Sequence, residues 1–300
     1  MTRLKEPLIL FFGSKGWIGT QFINYLKELN QLNPNQEPIT IIETNVRADN
    51  EILVNDVVLA HSPTHIVSFI GRTYGNGFNS IDYLEQSGKL VDNLNDNLYA
   101  PIVLGYIAAK YKIHYTYLGT GCIFNQESPQ DKCYLDNDNP DFFGSSYSIV
   151  KGFTDRIMRL NQNAVLNLRI RMPISNSHHF RNFITKIINY PKICSMPNSM
   201  TVLPTMFPVI FYLMKNKING SFNLVNEGLI SHNEILQLYK ELIDPQLTWT
   251  NISIEEQNNL LSSKRSNCYL SNKKIQDVYP ETIPNIKDAI RKCLEDIKNN

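Results

Sequence analysis

Five apolar residues in succession, Leu8-Ile9-Leu10-Phe11-Phe12, end at Gly13, and helical spacing begins shortly after that break. A run this short and this apolar reads as a buried strand. Behind it Ile18, Phe22, Ile23, Leu26 and Leu29 recur at helical spacing, which predicts a helix opening near Gly16. Strand, tight glycine turn and helix N-terminus in that order aim backbone N–H groups and the positive helix end at one point, an arrangement suited to a pyrophosphate. The glycines of Gly13-Ser14-Lys15-Gly16-Trp17-Ile18-Gly19 are spaced GxxGxxG rather than GxGxxG. Taken alone, a purely structural turn satisfies that spacing equally well.

Strand and helix signals alternate through the first half of the chain. Ile39–Ile42, His65–Ile70, Ile113–Leu118 and Val165–Ile170 read as strands, with a helical segment from about Tyr83 to Lys110, and Ser221–Val225 reads as a later strand. This alternation predicts an α/β fold with a doubly wound parallel Rossmann sheet, whose ligand sites lie outside the carboxyl ends of its strands. After Pro173 the elements are shorter and prolines more frequent, with helices expected at about Ser231 to Ile243 and Ile283 to Ile297. The expected division is a nucleotide-binding domain over residues 1–172 and a smaller substrate-binding lobe over 173–300, with residues 207–225 returning to the main sheet.

Composition narrows the function classes. A net charge of +1 over 300 residues gives no electrostatic footprint for nucleic acid or an anionic membrane, so neither is expected as a partner. The polar lead-in Thr2-Arg3-Leu4-Lys5-Glu6 has no apolar signal region, and Val202 to Met214 is too short to span a bilayer. Cysteines at 122, 133, 194, 268 and 293 form no CxxC pair and no metal spacing, which implies free thiols, a reducing cytoplasmic setting and no metal site. His178-His179 has no cysteine or carboxylate at metal spacing and reads as a loop pair.

A second constellation gives the glycine turn its meaning. Tyr147 and Lys151 stand at i and i+4, on one helix face, and Thr120 follows the strand that ends at Leu118. A hydroxyl, a phenol and an ammonium together can reduce a ketone, the phenol giving a proton to the carbonyl oxygen as hydride arrives. A phenol's ordinary pKa is about 10, and a neighbouring ammonium is expected to lower it.

With these residues in place the chain resembles the extended short-chain dehydrogenases/reductases over nearly its whole length. Within them it is most similar to the plant-type epimerase/reductases that finish UDP-L-rhamnose synthesis. The matching strings are Gly119-Thr120-Gly121-Cys122-Ile123-Phe124, Arg169-Ile170-Arg171-Met172-Pro173-Ile174, Arg181-Asn182-Phe183-Ile184-Thr185-Lys186 and Pro197-Asn198-Ser199-Met200-Thr201-Val202-Leu203, with Ser231 to Leu236 and Arg265-Ser266-Asn267 beyond. The resemblance implies a UDP-linked (or dTDP-linked) 4-keto-6-deoxy sugar, epimerised at C3 and C5 and then reduced at C4. A separate 4,6-dehydratase would supply it, and the resemblance also implies a homodimer.

Protons at C3 and C5 are acidic because both carbons flank the C4 ketone, so inversion needs proton exchange on two faces. Cys122 lies two residues beyond Thr120, where alternation along an extended segment would point both to one side. Its thiol is the first candidate, given a neighbouring cation, and Lys186 is the partner implied by the resemblance. By resemblance also, Arg265 faces the substrate diphosphate, Arg72 and Asn182 contact sugar or nucleotide, and Asn97 supports the active-site geometry. Gly13, Lys15, Gly16, Trp17, Ile18 and Gly19 are the expected cofactor cradle, completed by Tyr147 and Lys151. Glu43 at the end of the second strand suits the ribose hydroxyls of NADH, whereas Lys15 and Arg47 suit a 2′-phosphate. Two cations against one carboxylate favour NADPH, with NADH the alternative. Phe69-Ile70 departs from the small residues usual in this superfamily. Two rival readings are a 4-reductase alone acting on dTDP-4-keto-L-rhamnose, against which Cys122 argues, and a non-catalytic nucleotide-binding regulatory subunit, against which Thr120, Tyr147 and Lys151 argue.

Overall fold

The computed structural model describes residues 7–75, 77–126 and 132–299; the lead-in Thr2 to Glu6 lies outside the described residues. Six parallel strands form the central sheet: β1 (Leu8–Phe12), β2 (Thr40–Glu43), β3 (His65–Ser68), β4 (His114–Thr120), β5 (Val165–Ile170) and β6 (Gly220–Asn223), in the order β2-β1-β3-β4-β5-β6. From β1 the chain adds a strand on one side, then crosses to the other, so the strand order reverses between β1 and β3. Ligands of open α/β sheets bind at such a switch point.

Alternation along the strands divides the core into two layers. Ile9, Phe11, Val67, Leu118, Leu166 and Leu168 face one side, against helix α1 (Trp17–Leu32) and the later helix of Leu203–Lys215. Leu10, Phe12, Ile66, Tyr115 and Tyr117 face the other, against α2 (Glu51–His61) and the helical stretch α3 (residues 90–111). Both faces of the sheet are covered, which explains why its strands read as apolar runs.

The single helix expected over residues 83–110 is instead several pieces. Ile81–Glu85 is a 3₁₀ turn, and Gly88, at φ +76°, separates it from α3. α3 itself comprises Leu90–Leu94, a π turn over Asn95–Tyr99, and Ala100–Tyr111. Tyr147 and Lys151 ride on α4 (Ser146–Leu160), capped by the Ser145 side chain accepting from the Ser148 N–H. A further apolar cluster gathers Ile174, Ile184, Ile230, Ile235, Ile290 and Leu294 from the later chain. It includes α5 (Phe183–Ile187), α7 (His232–Leu242) and α8 (Ile286–Asn299), α6 being the Leu203–Lys215 helix.

Candidate active site

The glycine turn is packed backbone to backbone. Gly13 lies at φ +85°, and a Cβ there would stand 2.9 Å from the Phe69 carbonyl carbon. A Cβ on Gly19 would come within 2.2 Å of the Gly13 carbonyl oxygen, so α1 can start this close to β1 only with glycine. Gly16 is the N-cap of α1 and supplies no side-chain bond, and the first turn carries no acid. The N-terminal N–H groups of a 16-residue helix are therefore left for an anion, which fits a dinucleotide pyrophosphate. Lys15 is exposed beside it. Trp17 stacks on His179 at 5.4 Å and 9°, which accounts for one half of the His178-His179 pair, while Ile18 packs on the core. Phe69, unusual in size at this point, fills space between Phe11 and Phe22.

At the carboxyl edge of β4 the chain brings together Thr120, Cys122 and Tyr147. β4 runs to Thr120 itself, and register pairs Thr120 with Ile170 of β5. The chain then bends, and the Cys122 N–H donates to Thr120 Oγ1 at 3.1 Å. The thiol and the hydroxyl are thus joined by a turn, not by strand alternation as expected. Cys122 packs against the buried cluster of Tyr83, Leu84 and Tyr147. Burial, the largest influence, pushes the Tyr147 phenol above its ordinary range; Cys122 adds to this and the Thr120 hydroxyl pulls the other way.

Lys151 departs from its expected arrangement. Its ammonium donates to the Tyr117 hydroxyl and sits 4.6 Å over that ring. Burial pushes Lys151 down to about 7, against the opposing pull of Asp155 and Cys122. The expected lowering of Tyr147 by Lys151 is therefore not what this structure has: the lysine is turned to Tyr117, and the phenol keeps its proton.

The expected binding residues divide. Asn97, in the π turn, accepts from the Arg72 N–H at 3.0 Å and donates to the Arg72 carbonyl at 2.9 Å. It supports the site rather than lining it. Asn182 is fully buried, donating to the Ser175 and Ser177 carbonyls at 2.8 Å each and capping α5. In this structure its amide is thus taken up by the loop. Arg72 and Arg47 share Asp96, at 2.7 and 3.2 Å, and Arg47 also takes Asp49 at 2.6 Å. Arg265 pairs with Asp82 and bonds to Ser263. For Asp82, burial is the largest influence and works upward, yet bonds from Arg265, Ser80 and Ser263 together hold its carboxyl low. Lys186 is held below its ordinary range by burial first, then by Arg181 and Arg265. Its ammonium makes no hydrogen bond or ion pair among the described residues.

Arg171 was missed. Just past β5, nearly fully buried, it directs Nη1 to Cys122 Sγ at 3.7 Å and to Ser266 Oγ at 2.8 Å, and Nη2 to Asn198 Oδ1 at 2.6 Å. It is the cation beside the thiol. Its signal lay in the string Arg169 to Ile174 and in its position just past a strand, where ligand-facing residues belong. Tyr117 and Asp82 had no such signal.

A cleft of about 400 Å³ opens between the glycine turn and residues 177–181, lined by Lys15, Trp17, Gln21, Tyr74, Phe180 and Arg181 among others. A larger open hollow of about 530 Å³ by Trp249 and Arg291 contains none of the residues above.

Comparison with known proteins follows the same line. No protein-family model matches the chain. It is 49% identical over 292 residues to the protein L780 of Acanthamoeba polyphaga mimivirus, covering 96% of this chain and 98% of that one. The crystal structure of the L780 UDP-rhamnose synthase superposes with a TM-score of 0.91 at 48% identity, covering 97% of this chain and all of that one. A bifunctional dTDP-4-dehydrorhamnose 3,5-epimerase/reductase of Arabidopsis thaliana is 32% identical, over 95% of this chain and 91% of its own. A dTDP-4-dehydrorhamnose reductase from Clostridium acetobutylicum shares the fold at 17% identity, with a TM-score of 0.77. The chain belongs to the rhamnose-forming epimerase/reductases, a branch of the extended short-chain dehydrogenases/reductases.

Proposed function

We propose that this protein is a bifunctional 3,5-epimerase/4-reductase that converts UDP-4-keto-6-deoxyglucose to UDP-L-rhamnose with NADPH. The observation that carries the reading is the meeting of Thr120, Cys122 and Tyr147 at one strand end, with Arg171 against the thiol. Cys122 and Lys186 exchange protons at C3 and C5, where the C4 ketone makes them acidic. Lys186 suits this role because it is half-buried and burial, Arg181 and Arg265 all disfavour its charged form. The nicotinamide supplies hydride to C4. Thr120 orients the C4 oxygen, and Tyr147, holding its proton through burial, delivers it there. Lys151 must exchange Tyr117 for the cofactor ribose to complete this arrangement. Lys15 and Arg47 favour NADPH over NADH, Arg47 giving up Asp49 or Asp96 for a 2′-phosphate.

The same reading takes its 4-keto sugar from a separate 4,6-dehydratase. It places NADPH on residues 1–172 and the sugar against 173–300. A homodimer through α3 and α4 is supported by exposed Val91 and Tyr106 on one and Phe153 and Leu160 on the other.

The test is NMR of purified protein with UDP-4-keto-6-deoxyglucose in heavy water without reductant. Deuterium entering C3 and C5, and lost in Cys122→Ser, is expected. No exchange, with NADPH still consumed on pre-epimerised substrate, would leave a 4-reductase only.

A further inference from the structure

Arg181 carries a charge that nothing in the described chain answers. Its guanidinium makes no hydrogen bond and no ion pair among the described residues, and its Nε is closed off from solvent. Arg47, Arg72, Arg169 and Arg265 each hold a carboxylate. What fixes Arg181 is packing on an aromatic pair: the guanidinium lies 3.8 Å over the Tyr74 ring and 5.6 Å from that of Phe180, which meets Tyr74 edge-on at 5.8 Å. A ring contact of this kind holds the cation without using its N–H groups as hydrogen-bond donors.

The charges that act most on Arg181 and Lys186 are positive. Burial lowers the affinity of Arg181 for its proton, and Arg72 adds to that; Arg181 and Arg265 act in the same direction on Lys186. The cleft that Arg181 lines together with Lys15 has no aspartate or glutamate among its described lining residues. A half-buried guanidinium without an acceptor is costly, and an anion seated at its edge removes that cost. The N–H pairs of one arginine match two phosphate oxygens at once.

We propose that Arg181 is a diphosphate-binding residue, engaging two phosphate oxygens while the Tyr74 ring holds one side of its guanidinium and Phe180 stands beside it. The inference rests on the nucleotide-sugar reading above. Two diphosphates belong to that reaction, the substrate's and the cofactor's. Lys186 and Arg265 lie on the side expected for the first, Lys15 on the side expected for the second.

Calorimetric titration of UDP and of NADP⁺ into the wild-type protein, Arg181→Gln and Arg181→Lys separates the sources. Arg181→Gln is expected to weaken one ligand by roughly 10- to 100-fold, the worth of hydrogen bonds to a charged group. Arg181→Lys, a point charge without the fork, should recover part of it. Loss confined to UDP assigns the residue to the substrate; loss confined to NADP⁺ assigns it to the cofactor. Unchanged affinity for both, or a loss of both that tracks a fall in Tm, overturns the proposal. Failure of the wild-type protein to bind UDP at all would instead overturn the nucleotide-sugar reading and this inference with it.

Discussion

The Nη1 of Arg171 stands 3.7 Å from the sulfur of Cys122, and the guanidinium is held in place by Ser266 on Nη1 and Asn198 on Nη2. A thiol that hands a proton to a sugar carbon and takes one back must be held at a fixed place, and the Arg171 N–H contact to its sulfur holds it there. Arg171→Lys retains a charge but not the fork that locates it. We expect the variant to exchange deuterium at the sugar ring at least about ten-fold more slowly, the loss of one charge-assisted hydrogen bond. Reduction of a pre-epimerised substrate should be little changed. Equal losses in both half-reactions would mean that Arg171 acts only on the shape of the site.

Lys151 makes stability depend on pH in a definite direction. Its folded value is pushed down to about 7 by burial, whereas an exposed lysine keeps its proton to about 10.4. Below pH 7 the folded protein must carry a buried ammonium; between the two values the unfolded chain binds the extra proton, so this group's contribution to stability rises with pH. Lys151→Met should therefore be more stable than wild type at pH 6, with the difference shrinking as the pH approaches 10. Urea unfolding of both proteins at several pH values measures it, and a difference independent of pH would contradict the burial argument.

Asp155 ties the helix of Tyr147 and Lys151 to the sheet. Arg169 donates to it through two nitrogens, at 2.8 and 2.7 Å, and Asn167 adds a bond at 2.7 Å, all three residues being nearly closed to solvent. Removing one side of such a buried pair typically costs about 3–5 kcal/mol, because the remaining charge has no partner. Asp155→Asn is expected to lose stability of that order in denaturant unfolding. Its reductase activity should fall too, since α4 is then no longer anchored along this face.

How much of this was legible in the sequence follows the range of the signals. β5 was readable residue for residue at Val165–Ile170 because a strand buried on both faces declares itself locally. The helix expected over residues 83–110 was not readable in pieces: a positive φ at Gly88 and a π turn at Asn95–Tyr99 are backbone events that leave the apolar spacing nearly intact. Thr120, Cys122 and Tyr147 were legible as residue types in order, and the fold brings them together. The pairs Arg171–Ser266 and Arg265–Asp82 join positions 95 and 183 residues apart, and no local pattern announces such partners. Lys151 was placed on the right face, but its partner in this state, Tyr117, is on the neighbouring strand.

The glycine turn gives a graded prediction. A methyl group on Gly19 would meet the Gly13 carbonyl oxygen at 2.2 Å, while one on Gly16 would meet the same atom at 3.1 Å. The first contact cannot be relieved by a side-chain rotation, since both partners are backbone; α1 would have to move off β1. The second asks for a shift of a few tenths of an ångström. Gly19→Ala should therefore cost about 1–3 kcal/mol, as overpacking does, and should also move the helix N-terminus that is to hold the pyrophosphate. Gly16→Ala should be the milder of the two in both respects. Thermal unfolding and NADP⁺ titration of the pair check the ranking. A Gly19→Ala protein with wild-type NADP⁺ affinity would show that the cofactor does not use this turn.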